Sequence, residues 1–258
     1  MFRWREQVST TDGSPSGSAR FGVEWAITDR FDGVSTGSHS TFNLGAGVRD
    51  RPGAVARNRE ILAAEFGVES SSLRFMRQVH GCHVEVLDAD HPAGQDEDAC
   101  DAMITNRPDI ALAVLVADCT PVLLLDRQAG WVGAVHAGRA GMTDGVVVRT
   151  VHELRERGAS NLEAVVGPSI CGRCYEVPGS MRDHATNAYR AAYAVSWSGT
   201  AAIDVSAAVV EQLASERVDV RWLPGCTRES RDLYSHRGDP HSGRFAAVVR
   251  LAAPATGS

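Results

Sequence analysis

Residues 110–125, IALAVLVADCTPVLLL, are apolar almost throughout yet are broken at the centre by Asp118, Cys119 and Pro121. A membrane-crossing helix needs about 20 largely uninterrupted apolar residues, so this run is too short and too polar to span a bilayer. It reads instead as two short strands, 111–118 and 121–127, meeting at Cys119. Neither alternates apolar with polar positions, which is the pattern of strands covered on both faces. A third run, GWVGAVHA over 130–137, has the same character. Strands of this kind demand a packed layer on each side of their sheet.

The other segments supply such layers. PGAVARNREILAAEFG (52–67) predicts a helix opened by Pro52, with Val55, Ile61, Leu62 and Phe66 roughly on one face. QVHGCHVEVLDA (78–89) alternates as a strand, and residues 142–157 predict an amphipathic helix through Val147, Val151 and Leu154. Residues 162–170 read as a strand, 179–195 and 204–216 as helices, and DVRWLPG and GRFAAVVRLA as the last strands. Residues 1–20, rich in Ser and Gly, are expected to be partly mobile, and the tail AAPATGS frayed. No linker or repeat divides the chain, so one domain is expected over 1–258. Strict βαβ alternation is absent, which favours an α+β layered sandwich, mixed β-sheets flanked by helices, over a doubly wound parallel sheet.

Composition narrows the chemistry. At 258 residues and 43% apolar, the chain can bury a sizeable core. A net charge of −6 argues against a nucleic-acid partner held by bulk electrostatics, though not against a local anion pocket. The sequence contains no lysine, and all 26 basic residues are arginine. Schiff-base chemistry and the P-loop lysine are thereby excluded, and any anion must be held by guanidinium groups, backbone amides or metal. The opening MFRWREQVST lacks the apolar core of a signal peptide, so a cytoplasmic setting is expected. There the six cysteines, Cys82, Cys100, Cys119, Cys171, Cys174 and Cys226, read as free thiols, metal ligands or catalytic groups rather than disulfides.

Three residues stand where an apolar strand stops and a Gly or Pro turn begins: His80 in RQVHG, Cys119 in VADCTP and His136 in VHAG. Strand ends join a rigid scaffold to an open loop and so suit chemistry. Each residue alone reads more readily as a packed or hydrogen-bonded structural side chain, and the intervals of 39 and 17 residues match no zinc-finger pattern. CGRC at 171–174 has C-x2-C spacing, but no second C-x2-C or H-x3-H follows it, which counts against zinc-finger chemistry there. Cys82 and His83 read as incidental neighbours of His80, with a spare ligand for the same site as the alternative.

Six blocks in order carry a resemblance: TDRFDGVSTGSHSTFNLGAGVRDRPGAVARNRE, RQVHG, DAMITNRPDIALAVLVADCTPVLLLD, VGAVHAGRAGMTDGVV, GPSICGRCYEV and YSHRGDPHSGRFAAVV. From about Thr28 to Leu251 the chain resembles the YfiH family, also called the multicopper polyphenol oxidase (laccase) domain or peptidoglycan editing factor family. The resemblance implies a zinc site formed by His80, Cys119 and His136. It also implies phosphorolysis of purine nucleosides such as adenosine, inosine and methylthioadenosine, together with adenosine deaminase activity. The substrates would be small nucleosides and phosphate, with no nucleic acid or membrane as partner.

Three protein ligands leave a fourth position for water or substrate, the arrangement of a catalytic zinc. With lysine absent, phosphate would fall to Arg30, Arg237 or Arg244 within the matching blocks. Where the family commonly reads HAGWRG, this chain reads HAGRAG, so an anion-binding role is not carried over to Arg139. Asp118 is a candidate to orient a ligand histidine or to act as a general base. Asn43 and Gln78 offer amides suited to a ribose or a base edge, and the glycines after His136 are expected to let backbone approach the ligand. Two further enzyme readings are a Cys119/His136 amidase acting on a cell-wall precursor, and a copper-dependent polyphenol oxidase. A four-copper oxidase needs roughly ten histidines, largely in His-x-His pairs; this chain has nine and no such pair, although a single His2Cys site can still bind copper.

Overall fold

The unbroken apolar strands are covered on both faces, as their sequence requires. The computed structural model describes residues 1–9, 19–88 and 99–252. In chain order the first elements are β1 (Phe2–Val8), β2 (Gly22–Thr28), α1 (Pro52–Phe66), β3 (Leu73–Phe75), β4 (Val84–Leu87), β5 (Ala102–Thr105), β6 (Ala111–Val116), β7 (Thr120–Asp126) and β8 (Trp131–Ala137). There follow α2 (Arg139–Thr143), α3 (Val146–Glu156), β9 (Glu163–Val166), α4 (Gly179–Ala188), β10 (Tyr193–Val195), β11 (Ala201–Ile203), α5 (Val205–Ser215), β12 (Asp219–Trp222) and β13 (Phe245–Ala252).

Two mixed sheets dominate, one in the order β1-β2-β13-β6-β3 and the other β12-β9-β7-β8-β5-β4; β10 and β11 form a separate pair. Strand alternation assigns each face. In β7, Leu123 and Leu125 join Trp25, Leu112, Val114 and Phe245 in the core between the sheets, whereas Val122 and Leu124 pack with Val147, Val151 and Leu154 of α3 and Val209 of α5. On the far side, Ala111, Ala113 and Val248 of the first sheet pack against Leu62, Ala63 and Phe66 of α1. The result is an α+β sandwich of helix, sheet, sheet and helices. Each fully buried Leu or Val contributes roughly 1.5–3 kcal/mol of transfer free energy. No helix among the described residues is long and apolar enough to cross a membrane.

Several elements differ from the sequence expectation. Residues 2–8 of the segment expected to be partly mobile form edge strand β1, while 10–18 lie outside the described residues, as do 253–258 of the tail. The strand expected over 78–89 is confined to Val84–Leu87, because 78–83 form a loop; residue 89 is outside the described residues. The helix expected over 142–157 is broken by Gly145, whose φ of 83° is left-handed. The helix expected over 179–195 stops at Ala188, and the chain turns into β10.

Candidate active site

Strand register brings the candidate residues to one end of the second sheet. The β7–β8 hairpin pairs Thr120 with Ala137 and Pro121 with His136, so Cys119 meets Gly138 just beyond the ladder. The interval of 17 residues between Cys119 and His136 is therefore the length of a hairpin. Antiparallel pairing of Ala102 with Val135 sets Asp101 beside His136. Because β4 runs parallel to β5 from the pair Val84–Ala102, the QVHG loop arrives at this same end.

The ligand atoms of His80, Cys119 and His136 all lie within 4.8 Å of one another. Cys119 Sγ is 3.8 Å from His80 Nε2, and the two imidazoles meet edge-on with ring centroids 4.8 Å apart. Tetrahedral bonds of ordinary zinc–sulfur and zinc–nitrogen length place such atoms about 3.5 Å apart. The cluster fits a small divalent ion with little adjustment.

Asp101, to which the sequence reading gave no role, holds both histidines. Its buried carboxylate accepts from the backbone N–H groups of Val79 (3.2 Å), His80 (2.9 Å) and Gly81 (2.7 Å), and lies 2.7 Å from His136 Nδ1. The first three bonds fix a loop in which His80 adopts a left-handed φ of 61°. The fourth sets the His136 ring so that Nε2 faces the cluster, the usual arrangement behind a metal-binding histidine. Asp101 opens DAMITN in one of the six quoted blocks, and its place opposite His136 depends on register that no local pattern displays.

The glycines after His136 are required by this packing. A Cβ on Gly138 would stand 2.6 Å from His80 Cδ2, and one on Gly141 would stand 2.6 Å from the Gly81 carbonyl. Both glycines admit the QVHG loop.

Charge within the cluster is coupled. Burial pushes the Cys119 thiol up, but the facing charge and hydrogen bonds of His136 and His80 outweigh it and bring it down to about 6. Burial lowers His136, yet the Cys119 charge and the Asp101 hydrogen bond raise it to about 9. Each shift favours the charged form of the other group, thiolate on Cys119 and imidazolium on His136.

The cluster forms one wall of a cleft of about 930 Å³. Gln78, Arg237 and Arg244 line it. Both amide atoms of Gln78 are engaged by the backbone of Leu115, with Nε2 donating at 2.8 Å and Oε1 accepting at 2.9 Å. Two expected substrate contacts lie elsewhere. Asn43 is fully buried, and its amide bonds Gly45, Asp50 and the Arg244 N–H. Arg30 stacks on Tyr234 and donates to the Ser40 carbonyl.

Asp118 lines the cleft, but its oxygens accept from Thr227 Oγ1 and the Arg237 N–H, both at 2.6 Å, and orient no ligand histidine. Its φ of 95° marks where the chain leaves β6, so Asp118 and Cys119 do not obey strand alternation. Arg59, Arg77 and Arg139 also face the cleft, although the sequence reading passed over the first two and set the third aside. Asp118 is the sole carboxylate among the lining residues, so five arginines make this wall strongly cationic. Tyr175 lines it too, with the Arg237 guanidinium 5.0 Å from its ring. Cys82 packs on the helix-side core and His83 pairs with Glu85, so neither joins the cluster.

The model of the multi-copper polyphenol oxidoreductase laccase family matches residues 24–252. A purine nucleoside phosphorylase of Streptomyces griseus is 45% identical over 239 residues, covering 92% of this chain and 96% of its own. The purine nucleoside phosphorylase YfiH of Shigella flexneri is 34% identical over 241 residues, covering 89% and 94%. The crystal structure of YlmD from Geobacillus stearothermophilus matches with a TM-score of 0.82 at 26% identity, over 93% of this chain and 95% of that one. Shared sequence and shared fold agree over nearly the whole length, and the chain belongs to the YfiH family, the family described as multi-copper polyphenol oxidoreductase laccase.

Proposed function

We propose that this chain is a purine nucleoside phosphorylase that acts on adenosine, inosine and methylthioadenosine, with a zinc ion held by His80, Cys119 and His136 and adenosine deaminase activity in the same cleft. The observation that carries the reading is one cleft containing both a three-ligand metal cluster and a wall of five arginines. Relatives named purine nucleoside phosphorylase at up to 45% identity support it.

In phosphorolysis a phosphate oxygen bonds to the anomeric carbon as the glycosidic C–N bond breaks. The purine leaves with the bonding pair and takes up a proton, while positive charge gathers on the ribose. The protein must hold phosphate beside that carbon. Arg237 and Arg244 are suited to this because backbone carbonyls already anchor them, Glu176 for the first and Ser242 and Gly243 for the second. Each donates through one terminal nitrogen, leaving the rest of its fork to meet an anion bidentately. Burial lowers the Arg244 pKa, so an anion would meet its guanidinium in a poorly hydrated setting. Asp118 positions Arg237 by accepting its backbone N–H. Zinc, when bound, supplies the Lewis acidity that replacement of a purine amine requires.

The decisive assay measures free base released from each nucleoside with and without phosphate, after metal analysis of the protein. Phosphate-dependent release that Cys119→Ala or His136→Ala abolishes is expected. A folded, zinc-loaded sample that turns over no nucleoside overturns the reading.

One observation favours a second reading. Asp101, His136 and Cys119 form a carboxylate–imidazole–thiol line with the thiol lowered to about 6, the arrangement of an activated cysteine nucleophile. A Cys119-dependent amidase would keep its activity when the metal is chelated, whereas the zinc-dependent reading requires that chelation alter turnover.

A further inference from the structure

CGRC, which looked incomplete in sequence, gains two partners from a distant turn. Cys226 and Glu229 stand three residues apart, the same spacing as Cys171 and Cys174. Folding brings all four together, with their sulfur and carboxylate ligand atoms within 4.8 Å of one another. We propose that Cys171, Cys174, Cys226 and Glu229 form a second metal site, a structural zinc separate from the cleft cluster.

The backbone is built for it. Each pair sits on one tight turn: the N–H groups of Cys174 and Tyr175 donate to the Cys171 carbonyl, and the Ser230 N–H donates to the Cys226 carbonyl. Such a turn points its two ligands to one side, the reason C-x2-C spacing recurs in structural zinc sites. The turns are docked by a parallel bridge between Ser169 and Cys226 and by the Thr227 N–H on the Ser169 carbonyl. Gly225, just before Cys226, has a φ of 143° that an L side chain rarely adopts. A Cβ on Gly172 would meet the Ala194 Cβ at 2.7 Å, so glycine is what lets the first turn seat.

Outer contacts are also in place. The Cys171 N–H donates to Cys226 Sγ at 3.4 Å, and Trp197 Nε1 donates to Glu229 Oε1 at 3.2 Å, the same oxygen that lies 3.2 Å from Cys174 Sγ. Amide and indole donors of this sort hold thiolate and carboxylate ligands in orientation around a metal. Among the described residues all six cysteines are free, so no disulfide accounts for the cluster. Three soft sulfurs and one oxygen select zinc over magnesium or calcium. Four protein ligands complete a tetrahedron, in contrast to the three-ligand cleft cluster.

Such an ion would tie the loop after β9 to the loop after β12. Both loops reach the cleft: Tyr175 follows Cys174 and lines it, and Thr227 follows Cys226 and bonds Asp118. The metal would therefore brace the wall from behind.

The test separates the sites by counting metal in full-length chains that lack the cleft ligands. Purified His80→Ala/Cys119→Ala protein, dialysed without chelator, is expected to retain one zinc per chain by elemental analysis. Loading it with cobalt(II) should give thiolate-to-cobalt charge-transfer absorption. In the same background Cys226→Ser should lose both signals. Glu229→Gln, altered at an exposed carboxylate and so safe for folding, should release its metal to a chelator at least about tenfold faster. Absence of retained zinc in the folded background variant overturns the proposal. So does a Cys171–Cys174 or Cys171–Cys226 disulfide in the freshly purified protein, or metal retention that neither substitution changes.

Discussion

Asp101 ties the two histidines into one arrangement. The apolar strand ends made His80, Cys119 and His136 visible in the sequence, because a soft or imidazole ligand there interrupts an otherwise predictable pattern. Asp101 was invisible because its importance comes from four bonds, three of them to backbone amides that carry no side-chain signature. Burial opposes its charge, but His136 and then the loop amides outweigh that effect and hold its pKa below the ordinary 3.8. A depressed carboxylate contributes stability that is complete above the ordinary value and is lost as pH falls through the folded-state value. Asp101→Asn should therefore destabilise the protein by about 3 kcal/mol at pH 7, the scale of breaking a buried charged pair. The gap between wild type and variant should close as the pH falls below the depressed value. Urea unfolding of both proteins across this range is the measurement, and a gap independent of pH would show that Asp101 acts only by shape.

At the level of elements, legibility followed burial. Strands β6, β7 and β8 are legible near their observed limits because almost every residue is buried and polar side chains stand only toward their ends. Strand β1 was missed because an edge strand carries charge: Arg5 reaches across to the buried Glu24, which Arg250 also holds. The third helix was read too long because amphipathic spacing continues through Thr-Asp-Gly, where Gly145 turns left-handed. The loop after β8 shows how tightly elements determine the site. Gly138 has a φ of −75°, which alanine adopts without strain, so Gly138→Ala adds only the collision with His80. That variant should keep its melting temperature within a few degrees of wild type. Its zinc affinity should fall about 10–100-fold, the scale of disturbing the support of a metal ligand. Competitive zinc titration beside a thermal melt separates the two effects; a large fall in melting temperature with affinity preserved would refute the assignment of Gly138 to admitting His80.

Over the whole molecule, charge is distributed against its average. The chain carries −6 overall, yet one cleft gathers five arginines against the single carboxylate of Asp118. The sequence excluded lysine but could not show this gathering, since Arg59 and Arg77 come from α1 and the loop after β3, and Arg244 adjoins β13. A concave cationic wall focuses its field, whereas the surrounding negative charge is screened within about 8 Å at physiological salt. Phosphate should therefore stabilise the folded chain by mass action, since the unfolded chain lacks the wall. At phosphate near 100 times its dissociation constant the gain is about 2.7 kcal/mol, or about 5 °C for a chain of this size. Melting in phosphate should be compared with melting in sodium chloride of equal ionic strength, so that screening cancels. The excess shift should disappear in Arg237→Ala/Arg244→Ala. An equal excess shift in that variant would mean that the anion acts on the surface generally and that these two arginines do not hold it.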